Sequence, residues 1–261
     1  MQLRVPFLGD GAQADLPYPA QLLQRAFEAT GRSVTLHPAP VALPQARALL
    51  SLGRQDGGLD VLWCLTSARR EAAARPIRVP IDKGLIGWRL LLARPGLAAK
   101  LAAVRSVAEL KAFRLVHGLD WPDTQVLQDA GLKVSTSGNF EAMFRQLQLG
   151  RVDAFPRSVA EIWNEAKRFE SEFVVVPEVA LSYPAAVYFF VAPERPDLAN
   201  AIEQGLQRLI ASGEFDRFFL SHHQSYLQLA QLNHRHVLPL HNGRLPPQTP
   251  TERPELWFQP L

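Results

Sequence analysis

A single cysteine, Cys64, occurs in 261 residues. One thiol excludes an internal disulfide and every multi-thiolate metal cluster, and it fits both a reducing compartment and a disulfide-free exported protein. No apolar run is long enough to span a bilayer, and the opening MQLRVPFLGD lacks the apolar core of a secretion signal. Either the protein stays in the cytoplasm, or this is a mature form whose leader was replaced by Met1. Neither a P-loop nor a Gly-x-Gly-x-x-Gly follows any strand, and no Gly-x-Ser-x-Gly occurs, so nucleotide-binding and hydrolase readings lack their motifs. Charge of neither sign dominates: 28 Lys and Arg stand against 25 Asp and Glu, spread along the chain rather than gathered in runs. That pattern predicts no nucleic-acid partner.

What is present is apolar residue in quantity, 47% of the chain, enough for a sizeable core in one large or two medium domains. The run Leu3 to Leu8 predicts a buried strand, and Leu22, Leu23, Ala26 and Phe27 then form one helical face ending at Gly31. A strand at Ser33 to Leu36, a helix with Ala46, Leu49 and Leu50 on one face, and the buried strand in GGLDVLWCL continue the alternation. Strands and helices in this order predict a parallel sheet covered on both faces. The apolar strand in GWRLLLARPG breaks at Pro95, where a crossing into a second domain is expected, and AAVYFFVA at Ala185 to Ala192 would carry the chain back. Helices Asp197 to Ser212 and Glu214 to Ser221 then complete the first domain. The proline-rich LPPQTPTERPELWFQP predicts neither helix nor central strand, with Trp257 and Phe258 pinning an extended tail.

GRVDAFPRSVAEIWNE, Gly150 to Glu165, predicts a strand at Val152 to Phe155 and a helix beginning near Ser158. Arg157 would then stand at a helix start, where partial positive charge already favours an anion.

The order of GGLDVLWCLTSARREA, SVAELKAFRLVHG, GRVDAFPRS and a closing IASGEFDRFF resembles the type 2 periplasmic solute-binding proteins, specifically the family that delivers polar amino acids to ABC transporters. The similarity covers roughly residues 1 to 221. It implies an α/β fold of two Rossmann-like lobes joined by two crossing strands, with the ligand in a cleft between them. Lobe 1 would comprise residues 1–92 and 190–261, including a C-terminal extension from 222, and lobe 2 residues 93–189. The resemblance further implies a periplasmic location, a monomer without cofactor, a small solute bearing a carboxylate, and a membrane permease as partner.

Carried over residue by residue, Arg69 of the Thr-x-x-Arg at Thr66 matches the family's arginine for the ligand's α-carboxylate, and its planar fork suits that group. Alternation in DVLWCLT places Leu62, Cys64 and Thr66 on one side of the strand, the ligand side in the family. Ser158 stands where the family usually has the aspartate that receives the ligand's ammonium. A serine gives one neutral hydrogen bond and leaves a buried ammonium several kcal/mol short, so Arg69 with Arg157 points to an anion. Asp120 and Asp123 in HGLDWPDTQ, or Asp10 and Asp15 in the first loop, are alternative partners for an ammonium. Trp121, Tyr18 or Trp88 offers a flat wall for the ligand body, although Trp88 reads better as a packed hinge residue.

Five histidines, His222, His223, His234, His236 and His241, crowd the last forty residues without a thiolate or a regular scaffold and predict a polar tail rather than a metal site. Glu161 and Glu165, one helical turn apart, read as a solvated face. The function expected is solute capture without chemistry. A sensor module, or a dehydratase of the cyclohexadienyl type with Asp123 or Glu161 as a buried acid, is the alternative.

Overall fold

The computed structural model describes residues 1–6, 16–41 and 43–260. Its opening elements are strand β1 (Gln2–Val5), helix α1 (Tyr18–Glu28), β2 (Thr35–Pro38), α2 (Gln45–Leu50), β3 (Leu62–Leu65), α3 (Ala68–Ala73) and β4 (Arg75–Ile77). Then come β5 (Trp88–Ala93), α4 (Pro95–Ala102), α5 (Val107–Leu110), β6 (Arg114–Gly118), α6 (Thr124–Asp129), β7 (Lys133–Ser137), α7 (Phe140–Gln148), β8 (Ala154–Ser158), α8 (Ile162–Arg168), β9 (Val174–Val175) and β10 (Val179–Ser182). The chain ends with β11 (Val187–Val191), α9 (Pro196–Ala211), α10 (Glu214–Ala230) and β12 (His236–Pro239).

These elements form two compact units. Unit 1 holds Met1–Lys83, Ala186–His222 and Pro246–Leu256; unit 2 holds Gly84–Ala185, His223–Leu245 and Trp257 onward. In unit 1, β1 and β2 pair in parallel, and β11 lies antiparallel between β3 and β4. Helix α1 buries the predicted Leu22, Leu23, Ala26 and Phe27. It meets α9 where Gly205 touches the Ala26 backbone; a Cβ there would sit 1.9 Å from the Ala26 carbonyl oxygen, so only glycine permits this approach. Unit 2 is built on a seven-stranded sheet in the order β12-β10-β5-β8-β6-β7, with β9 added against β5. Its centre is nearly dry: Leu90, Leu91, Leu92, Leu115, Val116, Ala154 and Phe155 are wholly buried.

The structure moves the expected boundaries. Residues 84–92 belong with unit 2, because β5 pairs with β8 along five residues from Arg89 to Ala93. Residues 186–189 belong with unit 1, because β11 pairs with β3. The C-terminal extension is not all in the first lobe: β12 adds in parallel to β10 over four residue pairs and takes 223–245 into unit 2. An edge position tolerates Pro239, which is why a proline-bearing segment can join a sheet at all. The tail anchors partly as expected, with Phe258 edge-on to Trp88 at 6.3 Å. Helix α10 runs nine residues past the expected end at Ser221, so His222 and His223 lie on a regular helix. Among the described residues no group of His, Cys, Asp and Glu could hold a metal ion, and no helix is long and apolar enough to cross a membrane.

Candidate functional site

In unit 1 the predicted ligand segment is the β3–α3 turn. Strand β3 alternates as read, with Leu62 and Cys64 buried and Trp63 and Leu65 half-buried. Cys64 is 3% exposed, and burial pushes its thiol up despite the nearby Arg70, so it packs as a small apolar residue and is no activated nucleophile. Ser67 caps the six-residue α3 by accepting a hydrogen bond from the Arg70 amide at 3.3 Å, and a cap of this kind contributes about 1 kcal/mol. Helical geometry then sends Arg69, Arg70 and Glu71 to different places. Arg70 is buried and donates to the Leu65 carbonyl and to Gln45 Oε1, both at 2.8 Å. Glu71 accepts from Thr66 Oγ1 and from Arg78 Nη2, both at 2.6 Å. Arg69 is exposed and, among the described residues, has no hydrogen-bond or ion-pair partner. Only one member of this charged run is therefore the solvated cation that a free carboxylate could reach. Tyr18 donates to the Ile81 carbonyl at 2.7 Å and stacks on Phe218 at 5.2 Å, and burial pushes its phenol well up. Asp10 and Asp15 lie outside the described residues.

In unit 2 Arg157 does not stand at a helix mouth. It is the fourth residue of β8, and α8 begins at Ile162, so the expected conflict with a helix dipole does not arise. Arg157 is 4% exposed and forms a two-pronged pair with Glu165 at 2.6 and 2.7 Å, and Glu161 lies 3.2 Å away. The two glutamates read as a solvated face are thus its counter-charges. Its guanidinium also sits over Trp121, Phe140 and Phe155, 4.9–5.4 Å from the ring centroids, an arrangement that stabilises a desolvated cation. Burial pushes the Glu165 carboxyl up, and the hydrogen bonds from Arg157 oppose that. Ser158 ends β8, is 1% exposed and donates to the Leu85 carbonyl at 3.3 Å; it caps no helix.

Asp123 is 3% exposed and receives hydrogen bonds from Arg89 Nη2 and, at 2.8 Å, from the Tyr183 hydroxyl, which itself accepts from Arg89 Nε at 3.0 Å. Burial alone would raise its carboxyl, but the Arg89 charge, helped by the Tyr183 hydrogen bond, outweighs burial and holds it below the usual range. Its negative charge is matched inside unit 2. His117 completes the cluster. Thr124 Oγ1 gives its proton to the Gly118 carbonyl, so at 2.7 Å His117 Nδ1 must be the donor to Thr124 and Nε2 carries the lone pair. Burial, reinforced by the Arg89 and Arg157 charges, pushes the imidazole down to about 3 against the pull of Asp123. Trp121, expected as a flat wall for a ligand, packs mainly inside unit 2. It is half-buried, edge-on to His117 at 4.8 Å and nearly parallel to Phe155 at 6.3 Å.

The structure therefore places Cys64 on β3, buried, with Thr66 and Arg69 on the turn and first helical turn that follow it, and Arg157, Trp121, Asp123 and Ser158 in unit 2. Sequence reasoning missed Arg89, His117 and Tyr183, which lie 34, 6 and 60 positions from Asp123. No local pattern links Arg89 or Tyr183 to Asp123 at such separations, and His117, although near in sequence, gave no signal of its own.

No known protein family's profile matches this sequence. No curated protein matches it either. Solved structures do. An ancestral arginine-binding protein bound to arginine superposes with a TM-score of 0.61 at 19% identity, over 85% of this chain and 97% of that one. An amino acid ABC transporter substrate-binding protein from Streptococcus pneumoniae, bound to L-arginine, gives 0.61 at 14% identity over 85% and 94%. An ancestral amino acid-binding protein that is a precursor of cyclohexadienyl dehydratase gives 0.58 at 17% over 85% and 94%. The fold of this chain is accordingly that of the amino-acid substrate-binding proteins of ABC transporters.

Proposed function

We propose that this protein captures a small solute bearing a carboxylate, of the amino-acid class, and hands it unchanged to a membrane permease outside the cytoplasm. The reading is carried by the agreement, over 85% of the chain, with a protein that binds arginine. It is supported in unit 1 by Arg69, an exposed guanidinium without a partner among the described residues, next to the capped turn that holds Thr66. Arg69 grips the carboxylate through two parallel hydrogen bonds. Arg157 brings no net positive charge to the solute, because Glu161 and Glu165 already compensate it. The preference for a plain anion, argued from two arginines, loses one of its two supports.

The dehydratase alternative needs a carboxylic acid that stays protonated near neutral pH. Asp123 does not meet that need, since Arg89 holds it ionised.

A thermal-shift screen against amino acids, dicarboxylates, organic phosphates and sugars tests the reading. A ligand at a hundred times its Kd adds roughly 2.7 kcal/mol, or a rise of about 5–10 °C for a chain of this size. A rise with one or a few amino acids is the expected result; a flat screen contradicts solute capture.

A further inference from the structure

Thr66 has two hydrogen-bond donors, and both are committed inside unit 1. Its amide donates to the Ala186 carbonyl at 2.8 Å. Its hydroxyl donates to Glu71 Oε1 at 2.6 Å. The direction of the second bond is fixed, because the other oxygen of Glu71 accepts from Arg78, and a carboxylate paired with a guanidinium has no proton to return. The arrangement is sheltered: Thr66 is 5% exposed and the Glu71 side chain 9%. What Thr66 Oγ1 can still offer a solute is lone pairs. A carboxylate also offers lone pairs only, so the two repel, whereas an N–H of the solute is accepted.

We propose that Glu71 is a specificity-determining residue, which fixes Thr66 as an acceptor so that the Thr66–Arg69 turn selects solutes carrying an ammonium beside their carboxylate. This rests on the reading that Thr66 and Arg69 hold the solute. In that arrangement Arg69 takes the carboxylate and Thr66 takes one N–H of the ammonium. Arg78 offsets much of the charge of Glu71, so selection works through matching of donor to acceptor more than through net charge. The device answers the serine at position 158. Ser158 is buried and turned to Leu85, and Asp123 is held by Arg89, so neither supplies an open carboxylate for an ammonium. Amino acids are then the preferred class; dicarboxylates are rejected because they bring another acceptor against the Thr66 lone pair, and deaminated acids because they leave that lone pair without a donor.

The test is calorimetric titration of the full-length protein with the standard amino acids and with the deaminated carboxylate of each. Wild type is expected to bind at least one amino acid about 100-fold more tightly than its deaminated counterpart, a ratio typical of one lost buried hydrogen bond to a charged group. In Glu71→Gln the side-chain amide can donate to Thr66 and release the hydroxyl proton, so the ratio should fall about tenfold or more. Thr66→Val, which keeps the shape and removes the acceptor, should do the same, and its far-ultraviolet dichroism reports folding independently. Equal binding of both series by wild type, or an unchanged ratio in both variants, overturns the role of Glu71 and leaves solute capture standing. No binding of either series by wild type overturns both.

Discussion

Arg69 and Arg157 are the same residue type, each near the end of a strand, and both were expected to face a solute. The structure gives them opposite surroundings. Arg69 sits on the first turn of a six-residue helix, exposed and without a partner among the described residues. Arg157 is 4% exposed, clamped by two glutamates and covered by three aromatic rings. The difference separates two uses of a guanidinium. Under the proposed function, the cation that receives a ligand is the one left solvated within its own unit. A cation that holds a fold together is given its carboxylates by the same chain, and removing all of them leaves a buried charge uncompensated.

If that division is right, the largest loss of stability comes from unit 2. Asp123→Ala leaves Arg89, 2% exposed, without its main counter-charge, and should cost about 3–5 kcal/mol in urea unfolding. A change below about 1 kcal/mol would mean that the cluster around Arg89 contributes little to folding.

The acid side of the stability curve comes next. In the unfolded chain the His117 imidazole takes a proton near pH 6.5, and in the fold only near 3. Between those values the unfolded state binds more protons, so stability falls as pH falls through this window, by several kcal/mol at its lower end. The folded Asp123 carboxyl is held low, so its contribution is present above about pH 4 and is lost as pH falls further. His117→Asn, whose amide can still donate to Thr124, should flatten the curve between pH 6.5 and 4 and leave the steeper part below it. An unchanged slope would show that the imidazole is accessible to protons in the fold.

A smaller effect sharpens the comparison from the side of Arg157. Glu165→Ala removes two hydrogen bonds to a charged partner but leaves Glu161 at 3.2 Å, so about 1–3 kcal/mol should be lost. The smallest effect on stability belongs to Arg69→Ala, an exposed substitution expected to stay within about 0.5 kcal/mol of wild type.

The fold could be read from the sequence because its signals are local. Apolar faces at helical spacing, such as Leu22, Leu23, Ala26 and Phe27, and short apolar strands between glycine turns recur in the order that an α/β fold requires. The end of the chain was harder to read. His236–Pro239 carries a weak alternating pattern beside prolines, and only the open edge of β10 makes a strand of it. At the site, the Thr66 turn was picked out by Thr-x-x-Arg, and the Ser67 cap that builds it was not read. The pairing of Arg157 with Glu161 and Glu165 was not legible, because an early helix start at Ser158 would turn those glutamates outward, whereas β8 runs on through Ser158. Arg89, Asp123, His117 and Tyr183 meet only through the sheet, and a partner 34 or 60 residues away leaves no trace in spacing.

The most direct test of the central claim is a calorimetric titration of wild type, Arg69→Ala and Glu165→Ala with the amino acid that gives the largest thermal shift. The account predicts that Arg69→Ala loses about 100-fold or more in affinity with an unchanged unliganded melting temperature, while Glu165→Ala melts lower and keeps binding within a few-fold. Full affinity in Arg69→Ala would contradict it.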